Sequence, residues 1–208
     1  FYKLFEEKKL SLITLSNFHN DLFPKSWDKY VIYFMIPDWV YEYSIPENKK
    51  DYIYASSLMK GYSSTLPLWK YLKNERILTN SDVLNVCLPG YDNPTQDISD
   101  KDYGINYLGT LKFKEVIELM AKCRGMFYVN TMPETFGISV VLADILKTTP
   151  FVYGINGLGS LSELVDNKNL TTDMQEYINM FKNHSIKDST PRNFRPKMVI
   201  KWWKKVLV

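Results

Sequence analysis

The segment MFYVNTMPETFGISVVLADILKTTPFVYG, residues 126–154, changes its hydrophobic pattern twice. Residues 126–130 are a short apolar run of the kind that forms a buried strand, and residues 151–154 form a second one. Residues 137–147, between the two runs, have the pattern of a helix. A strand, a helix and another strand in this order predict part of a parallel sheet that is covered by helices.

Strand-like and helix-like runs alternate in the same way along the rest of the chain. The other predicted strands are residues 11–16, 30–35, 51–55, 83–88 and 105–108. The other predicted helices are residues 17–23, 62–72, 112–123, 172–183 and 197–208, and a capping box at residues 160–163 begins one more. Loops are predicted at residues 38–50 and 89–94, which are rich in turn-forming and charged residues. The predicted fold class is α/β, a Rossmann-like parallel sheet with helices on both faces.

The composition limits the classes of protein and of partner. A chain of 208 residues with 45% hydrophobic residues buries a core without needing disulfides, and the net charge of +3 is too small to indicate a nucleic-acid partner. Cys87 and Cys123 lie in apolar runs and are expected to be buried reduced thiols. His19 and His184 are far apart, so no zinc spacing is present. With no long apolar run and no signal peptide, we expect no transmembrane segment and a cytoplasmic location.

Ligands of open α/β sheets bind in the loops that follow the carboxyl ends of the strands. The first such loop, YASSLMKG at residues 54–61, places Lys60 next to a glycine at a predicted helix start. A lysine at this position suits a phosphate, because the free amides of a helix N-terminus also attract anions. A surface lysine beside a turn is the alternative explanation.

Two more loops have unusual residues. In the loop NTMPETFGIS, residues 130–139, Glu134 is placed to accept hydrogen bonds from sugar hydroxyls, and Gly137 is expected to let a ligand approach the backbone. Alternatively, Glu134 only complements the dipole of the following helix. The loop at residues 154–160 contains three glycines, which an ordinary strand-to-helix turn explains equally well.

The order of these segments resembles that of the retaining family-4 (group 1) glycosyltransferases of the GT-B fold. YLGTLKFKEVIELMAKC, residues 107–123, is similar to the stretch "flG…eel..ly..a" of that family. MPETFGISVVL, residues 132–142, is similar to "PS..E.FG…LEAMA", and GSLSELV, residues 159–165, to "GG.pEiV". Looser similarities at residues 15–22, 31–37, 54–61 and 197–207 extend the resemblance over nearly the whole chain.

The resemblance implies that the chain is the lobe that binds a nucleoside-diphosphate sugar, with a UDP- or GDP-linked hexose as donor and no required metal or other cofactor. Lys60 would hold the diphosphate and Glu134 the sugar hydroxyls. The other implied donor contacts are the backbone of Phe136, Gly137, Ile138 and Ser139, and, beside the base, Thr110, Leu111, Gly90 and Tyr91.

The chain departs from the family pattern at two positions. The family's arginine, five residues before the lysine, is Ala55 here, which removes one phosphate cation. The family's second glutamate, a ribose ligand, falls on Leu142, or on Ala143 when the alignment is taken backward from Pro150. Asp144 is adjacent and is an alternative ribose ligand, although one residue turns a helical side chain by about 100°.

The resemblance also divides the chain and predicts its partners. Residues 1–50 would be a junction segment and the start of the lobe, residues 51–190 the donor-binding domain, and residues 191–208 a closing helix. An N-terminal lobe, in the same polypeptide or in a partner, would hold a glycan, lipid or protein acceptor. The leading hypothesis is retaining hexosyl transfer. The alternatives are a non-catalytic nucleotide- or glycan-binding module, which the two departures favour, and an epimerase of the GT-B type, for which the chain has too few carboxylates and histidines.

Overall fold

The computed structural model describes residues 2–92, 98–165, 169–183 and 191–207. His184 and part of the predicted turn at residues 89–94 lie outside these ranges. No helix within them is long and apolar enough to cross a membrane.

The first part of the chain forms a small two-stranded parallel sheet. Its elements are α1 (Tyr2–Glu6), β1 (Leu12–Thr14), α2 (Asn17–Asp21), β2 (Lys29–Val31) and α3 (Asp38–Tyr41). The predicted strands at residues 11–16 and 30–35 are therefore shorter than expected. The second strand ends at Val31 because its partner strand ends at Thr14, shortly before the Ser16 side chain caps α2 by accepting from the His19 amide at 3.0 Å. The predicted loop at residues 38–50 is wrong at its ends, because it contains α3 and the first residue of the next strand.

The main sheet has six strands, and all of them are parallel. Its elements are, in chain order, β3 (Lys50–Ala55), α4 (Tyr62–Asn74), β4 (Leu84–Cys87), β5 (Ile105–Gly109), α5 (Phe113–Lys122), β6 (Cys123–Asn130), α6 (Ile138–Ile145), β7 (Thr149–Gly154), α7 (Leu161–Leu164), β8 (Leu170–Thr171), α8 (Met174–Lys182) and α9 (Pro196–Val206). The strand order is β5-β4-β3-β6-β7-β8. The predicted α/β class is confirmed.

Helices cover both faces of this sheet. The connection through α4 moves along the sheet from β3 to β4, whereas those through α5 and α6 move in the opposite direction. Parallel connections are nearly always right-handed, so α4 lies on one face and α5 and α6 lie on the other. On the α4 face, Trp69 meets Phe127 edge to face at 5.3 Å, and Phe181 of α8 stacks on Phe151 at 4.4 Å. These aromatic contacts hold the sheet and the helices of this face together.

The predicted capping box before α7 is wrong. Ser160 has a helical backbone conformation (φ −67°, ψ −16°), whereas a capping serine needs an extended one. Its buried hydroxyl has no hydrogen-bond partner among the described residues. The carboxylate of Glu163 accepts instead from the Asn17 side chain at 2.7 Å and from the Phe18 amide at 3.2 Å. Glu163 therefore ties α7 to the N-terminus of α2.

Candidate functional site

The site is at the centre of the main sheet, where the strand order reverses. β3 and β6 are neighbours, but the chain leaves β3 toward β4 and leaves β6 toward β7. The loops after these two strands therefore diverge and open a crevice at the carboxyl edge, which is where open α/β sheets bind ligands. Lys60 lies in the loop after β3, and Glu134 lies in the loop after β6.

Lys60 and Glu134 form an ion pair across this crevice. The ammonium of Lys60 donates to both carboxylate oxygens of Glu134, at 2.9 Å to Oε1 and 2.8 Å to Oε2. The Glu134 side chain is 5% exposed, whereas that of Lys60 is 39% exposed. Lys60 is thus the solvent-facing partner, and the carboxylate lies in the protein interior. Pairing lowers the cost of burying this carboxylate.

A tyrosine hydroxyl completes the environment of Glu134. Tyr128 of β6 donates a hydrogen bond to Glu134 Oε1, and its hydroxyl lies 3.3 Å from Ser56 Oγ. Burial and the nearby carboxylate raise the pKa of Tyr128 far above its usual value. The tyrosine therefore stays protonated and keeps its donor.

Backbone packing fixes the loop that carries Glu134. Gly159 has φ +61°, and a side-chain carbon at this position would meet the backbone of Glu134, including its nitrogen at 2.6 Å. The Ser160 amide donates to the Glu134 carbonyl at 2.8 Å. Gly137, which we expected to leave room for a ligand, leaves room for the side chain of Leu161. Packing within the protein therefore accounts for both glycines.

The loop that carries Lys60 is held from two sides. The Leu58 amide donates to the carboxylate of Asp92 at 2.6 Å, and the Thr131 amide donates to the Lys60 carbonyl at 3.2 Å. At Gly61, with φ +126°, an added side chain would clash with the carbonyl of Val129 in β6. The backbone next to Lys60 therefore packs directly against the strand that leads to Glu134.

A cleft of about 370 Å³ opens beside Lys60. Its walls come from the loops after β3, β4 and β5 and from α5 and α6; the residues are Ala55, Ser56, Ser57, Lys60, Cys87, Leu88, Pro89, Tyr91, Leu111, Phe113, Val116, Ile138, Ser139 and Leu142. Among these described residues Lys60 alone is charged. The cleft is therefore mostly apolar, with one cation at its edge and room for a small-molecule ligand.

Some of the residues expected to contact a donor line this cleft. Lys60, Tyr91, Leu111, Ile138 and Ser139 do so. The first hydrogen bond of the α-helical type in α6 runs from the Val141 amide to the Gly137 carbonyl. The amides of Ile138 and Ser139 lie before it, at the N-terminus of the helix. Amides at the start of a helix attract anions.

The other expected residues lie outside the walls of the cleft. Phe136 is buried, and its ring packs between those of Phe34 and Phe194 at 5.2 and 5.4 Å. Thr110 is exposed, and its methyl group lies 3.7 Å from where a side chain on Gly90 would begin. Thr110 and Gly90 therefore form one surface near the cleft.

The position of the family's ribose ligand and its proposed substitute also lie in different places. Leu142 lines the cleft, whereas Asp144 is only 3% exposed and is not one of the residues in the walls. Ala55, at the place of the family's arginine, lines the cleft as well. Where the family's second glutamate is aligned with Leu142, both departures thus put an apolar side chain in the cleft; Ala143, the position in the other alignment, is buried and is not one of the wall residues.

Tyr128 and Ser56 belong to the site, although the sequence pattern did not indicate them. Tyr128 lies in an apolar run that indicates a buried strand, and this interpretation is correct. The tyrosine hydroxyl is the feature that could have indicated a role in the site, because a buried tyrosine normally has a hydrogen-bond partner. The partner could not be named from sequence, since the Glu134 carboxylate reaches it only when the loop folds back over the strand.

No protein-family model matches the chain, and no curated protein resembles it in sequence. Solved structures do match its fold. A mutant of TarM from S. aureus, solved with fondaparinux, α-GlcNAc-glycerol and UDP, has a TM-score of 0.63 at 13% identity, covering 99% of this chain and 42% of that one. Anabaena HepE, solved with UDP and glucose, has a TM-score of 0.59 at 14% identity and covers 94% and 61%.

WaaG, a glycosyltransferase involved in lipopolysaccharide biosynthesis, has a TM-score of 0.57 at 14% identity, covering 92% of this chain and 56% of that one. The chain therefore spans about half the length of the solved chains that it matches. These neighbours are GT-B glycosyltransferases. The fold of this chain is that of a GT-B glycosyltransferase lobe.

Proposed function

We propose that this chain is the donor-binding lobe of a retaining glycosyltransferase that uses a nucleoside-diphosphate sugar. The observation that carries the proposal is the Lys60–Glu134 pair, which lies where the strand order reverses and at the edge of an open cleft. A cation beside a buried carboxylate matches the two ends of such a donor, because the diphosphate is anionic and the sugar offers hydroxyl donors.

Each group has a chemical task in this proposal. Lys60 and the first amides of α6, at Ile138 and Ser139, bind the diphosphate and stabilise the charge that it gains as it leaves. Glu134 accepts hydrogen bonds from the sugar hydroxyls and holds the hexose in position. No metal or other cofactor takes part.

The base binds beside Leu111 and Tyr91, which line the cleft, and near Thr110 and Gly90, which lie close to each other. Asp144 remains a candidate ribose ligand only if it reaches the cleft from its buried position in α6. UDP is the first nucleotide to test, because the TarM and HepE structures were solved with UDP.

In this proposal the acceptor binds outside the donor-binding lobe. The matched chains are roughly twice as long, and we propose that an N-terminal lobe binds a glycan, lipid or protein acceptor opposite the cleft. We also propose that the protein acts in the cytoplasm and that it binds no nucleic acid.

One alternative has specific support. A non-catalytic module that binds a nucleotide or a glycan would tolerate Ala55 and Leu142 in the cleft, where the family has charged residues. The pairing of Lys60 with Glu134 also leaves little net positive charge to attract a diphosphate. Both features lower the expected donor affinity.

Calorimetric titration of the full-length protein with UDP, GDP, UDP-glucose, UDP-N-acetylglucosamine and GDP-mannose tests the proposal, followed by an assay for donor hydrolysis. We expect one sugar nucleotide to bind and to be hydrolysed slowly, and Glu134→Gln to abolish hydrolysis. Binding without hydrolysis would favour the non-catalytic module. If none of these compounds binds, the proposal is wrong.

A further inference from the structure

Glu134 is held by two donors of different character. Lys60 is charged and 39% exposed and belongs to the wall of the cleft, whereas Tyr128 is neutral and 1% exposed. Both donate to Oε1, and Lys60 also donates to Oε2. Lys60 is a wall residue and Glu134 is not, so the lysine is the member of the pair that faces the cleft.

The proposed function, on which this inference rests, requires Lys60 to change partners. A diphosphate in the cleft competes with Glu134 for the ammonium, and the same movement of Lys60 uncovers the carboxylate for the sugar. A buried carboxylate that loses its cation becomes costly unless another donor remains. Glu134 therefore needs a partner that stays in place when Lys60 moves.

We propose that Tyr128 is this partner, a positioning residue that keeps the Glu134 carboxylate oriented toward the sugar while Lys60 binds the diphosphate. The sugar would then meet a carboxylate with one oxygen fixed by the tyrosine and the other free to accept.

The position of Tyr128 suits this task. It lies within β6, in the middle of the sheet, and its ring is 6.2 Å from that of Tyr54. Its hydroxyl also lies 3.3 Å from Ser56 Oγ, so a second polar group helps to fix its direction. Burial and the nearby carboxylate of Glu134 raise the pKa of this hydroxyl, which favours the protonated form that donates. A donor on a central strand does not have to move when a ligand enters the cleft.

The test compares Tyr128→Phe with Tyr177→Phe in the full-length protein. Tyr177 is a matched control, because it is fully buried and its hydroxyl donates to the Phe151 carbonyl at 3.3 Å in the same sheet. Affinities for UDP and for UDP-glucose or UDP-N-acetylglucosamine are measured by calorimetry, together with kcat and KM for donor hydrolysis and with the melting temperature.

Tyr128→Phe should change UDP affinity by no more than about threefold. It should reduce kcat/KM, and the factor by which the sugar nucleotide binds more tightly than UDP, by roughly tenfold or more. That loss is the scale of a hydrogen bond to a charged group. Tyr177→Phe should lower the melting temperature alone. If both variants lose stability only, while Glu134→Gln still abolishes hydrolysis, Tyr128 has no positioning role although the proposed function stands. If wild-type protein binds UDP and UDP-sugars equally and hydrolyses none, the proposed function fails and this inference fails with it.

Discussion

Lys60 connects the charge of the cleft to its binding chemistry. Its ammonium lies within 2.9 Å of both Glu134 oxygens, and it is the charged residue among the described walls of the cleft. A diphosphate that binds Lys60 must displace Glu134 from the ammonium. Breaking this pair reduces the favourable free energy of diphosphate binding. This competition, at the scale of one residue, limits donor affinity.

Lys60→Met should weaken UDP binding by about 1–3 kcal/mol, because it removes a charge-assisted hydrogen bond while keeping the length of the side chain. Lys70→Met is the control, because Lys70 pairs with Asp100 at 2.6 Å and is not a wall residue of the cleft. Isothermal titration calorimetry measures the UDP affinity of both variants. Equal UDP affinity in wild type and Lys60→Met would show that the lysine does not bind the diphosphate.

Asp144→Asn tests whether Asp144 binds the ribose. Since Asp144 is buried in α6 and Leu142 lines the cleft, we expect this change to lower the melting temperature and to leave UDP affinity unaltered. Titration of UDP against 2′-deoxy-UDP in both proteins measures any ribose contact. If Asp144→Asn weakens the binding of UDP but not that of 2′-deoxy-UDP, Asp144 binds the ribose.

At the scale of elements, loop backbones position the site. The loop between β7 and α7 packs directly on the backbone of Glu134 through Gly159, and the turn before α4 packs on β6 through Gly61. The loops that carry Glu134 and Lys60 are thus each fixed by a glycine in a left-handed or otherwise restricted conformation. Precise placement of the ion pair depends on these close approaches.

Gly159→Ala tests this dependence against Gly109→Ala. Both glycines have positive φ, +61° and +69°, so both variants carry a backbone strain of about 1–2 kcal/mol. An added carbon at Gly109 meets nothing within 4 Å, whereas at Gly159 it meets the Glu134 backbone. We expect Gly159→Ala to lose a further free energy of unfolding of about 1–3 kcal/mol, measured by urea unfolding, and to lose donor hydrolysis. Identical urea midpoints and activities for the two variants would refute the packing argument.

At the scale of the whole molecule, buried ionisable groups make stability depend on pH. Burial raises the pKa of the Cys87 and Cys123 thiols, and of the Tyr52 and Tyr62 phenols, to about 12. For each group the unfolded chain loses its proton at a lower pH than the folded chain. Each therefore stabilises the fold below the unfolded pKa, and this contribution is lost as the pH rises toward 12.

Lys49 has the opposite effect, because burial lowers its pKa to about 8. Between pH 8 and its unfolded value of 10.5, the unfolded chain holds the additional proton, so this group alone would raise stability with pH. The groups with a raised pKa, which also include Tyr54, Tyr128 and Tyr177, outnumber the groups with a lowered pKa, Lys49 and Lys73. We expect the free energy of unfolding to fall above about pH 9, at up to about 1.4 kcal/mol per pH unit for each net proton.

Urea unfolding at pH 7, 9 and 10.5 measures this slope. The double variant Cys87→Ala, Cys123→Ala is the control and should show a shallower decline, since it removes two of the groups. A free energy of unfolding that stays constant or rises up to pH 10.5 would contradict the assignment of these buried groups.

The amino-acid sequence by itself determined the α/β class, the parallel sheet and the two loops that carry Lys60 and Glu134. The alternation of apolar runs is a local property, and in a parallel sheet the loops after neighbouring strands share one edge. The predicted ends of the elements are less accurate. β2 stops early because its partner β1 ends before the Ser16 cap of α2, and Ser160 does not cap α7.

Only the tertiary structure decided that Lys60 and Glu134 bind each other, that Tyr128 holds the same carboxylate, and that Leu142 rather than Asp144 lines the cleft. Each of these facts depends on distances between residues that are far apart in the chain or on the direction of a side chain on its element. A pattern of residue types contains neither quantity, because both are set by the packing of loops and helices against the sheet.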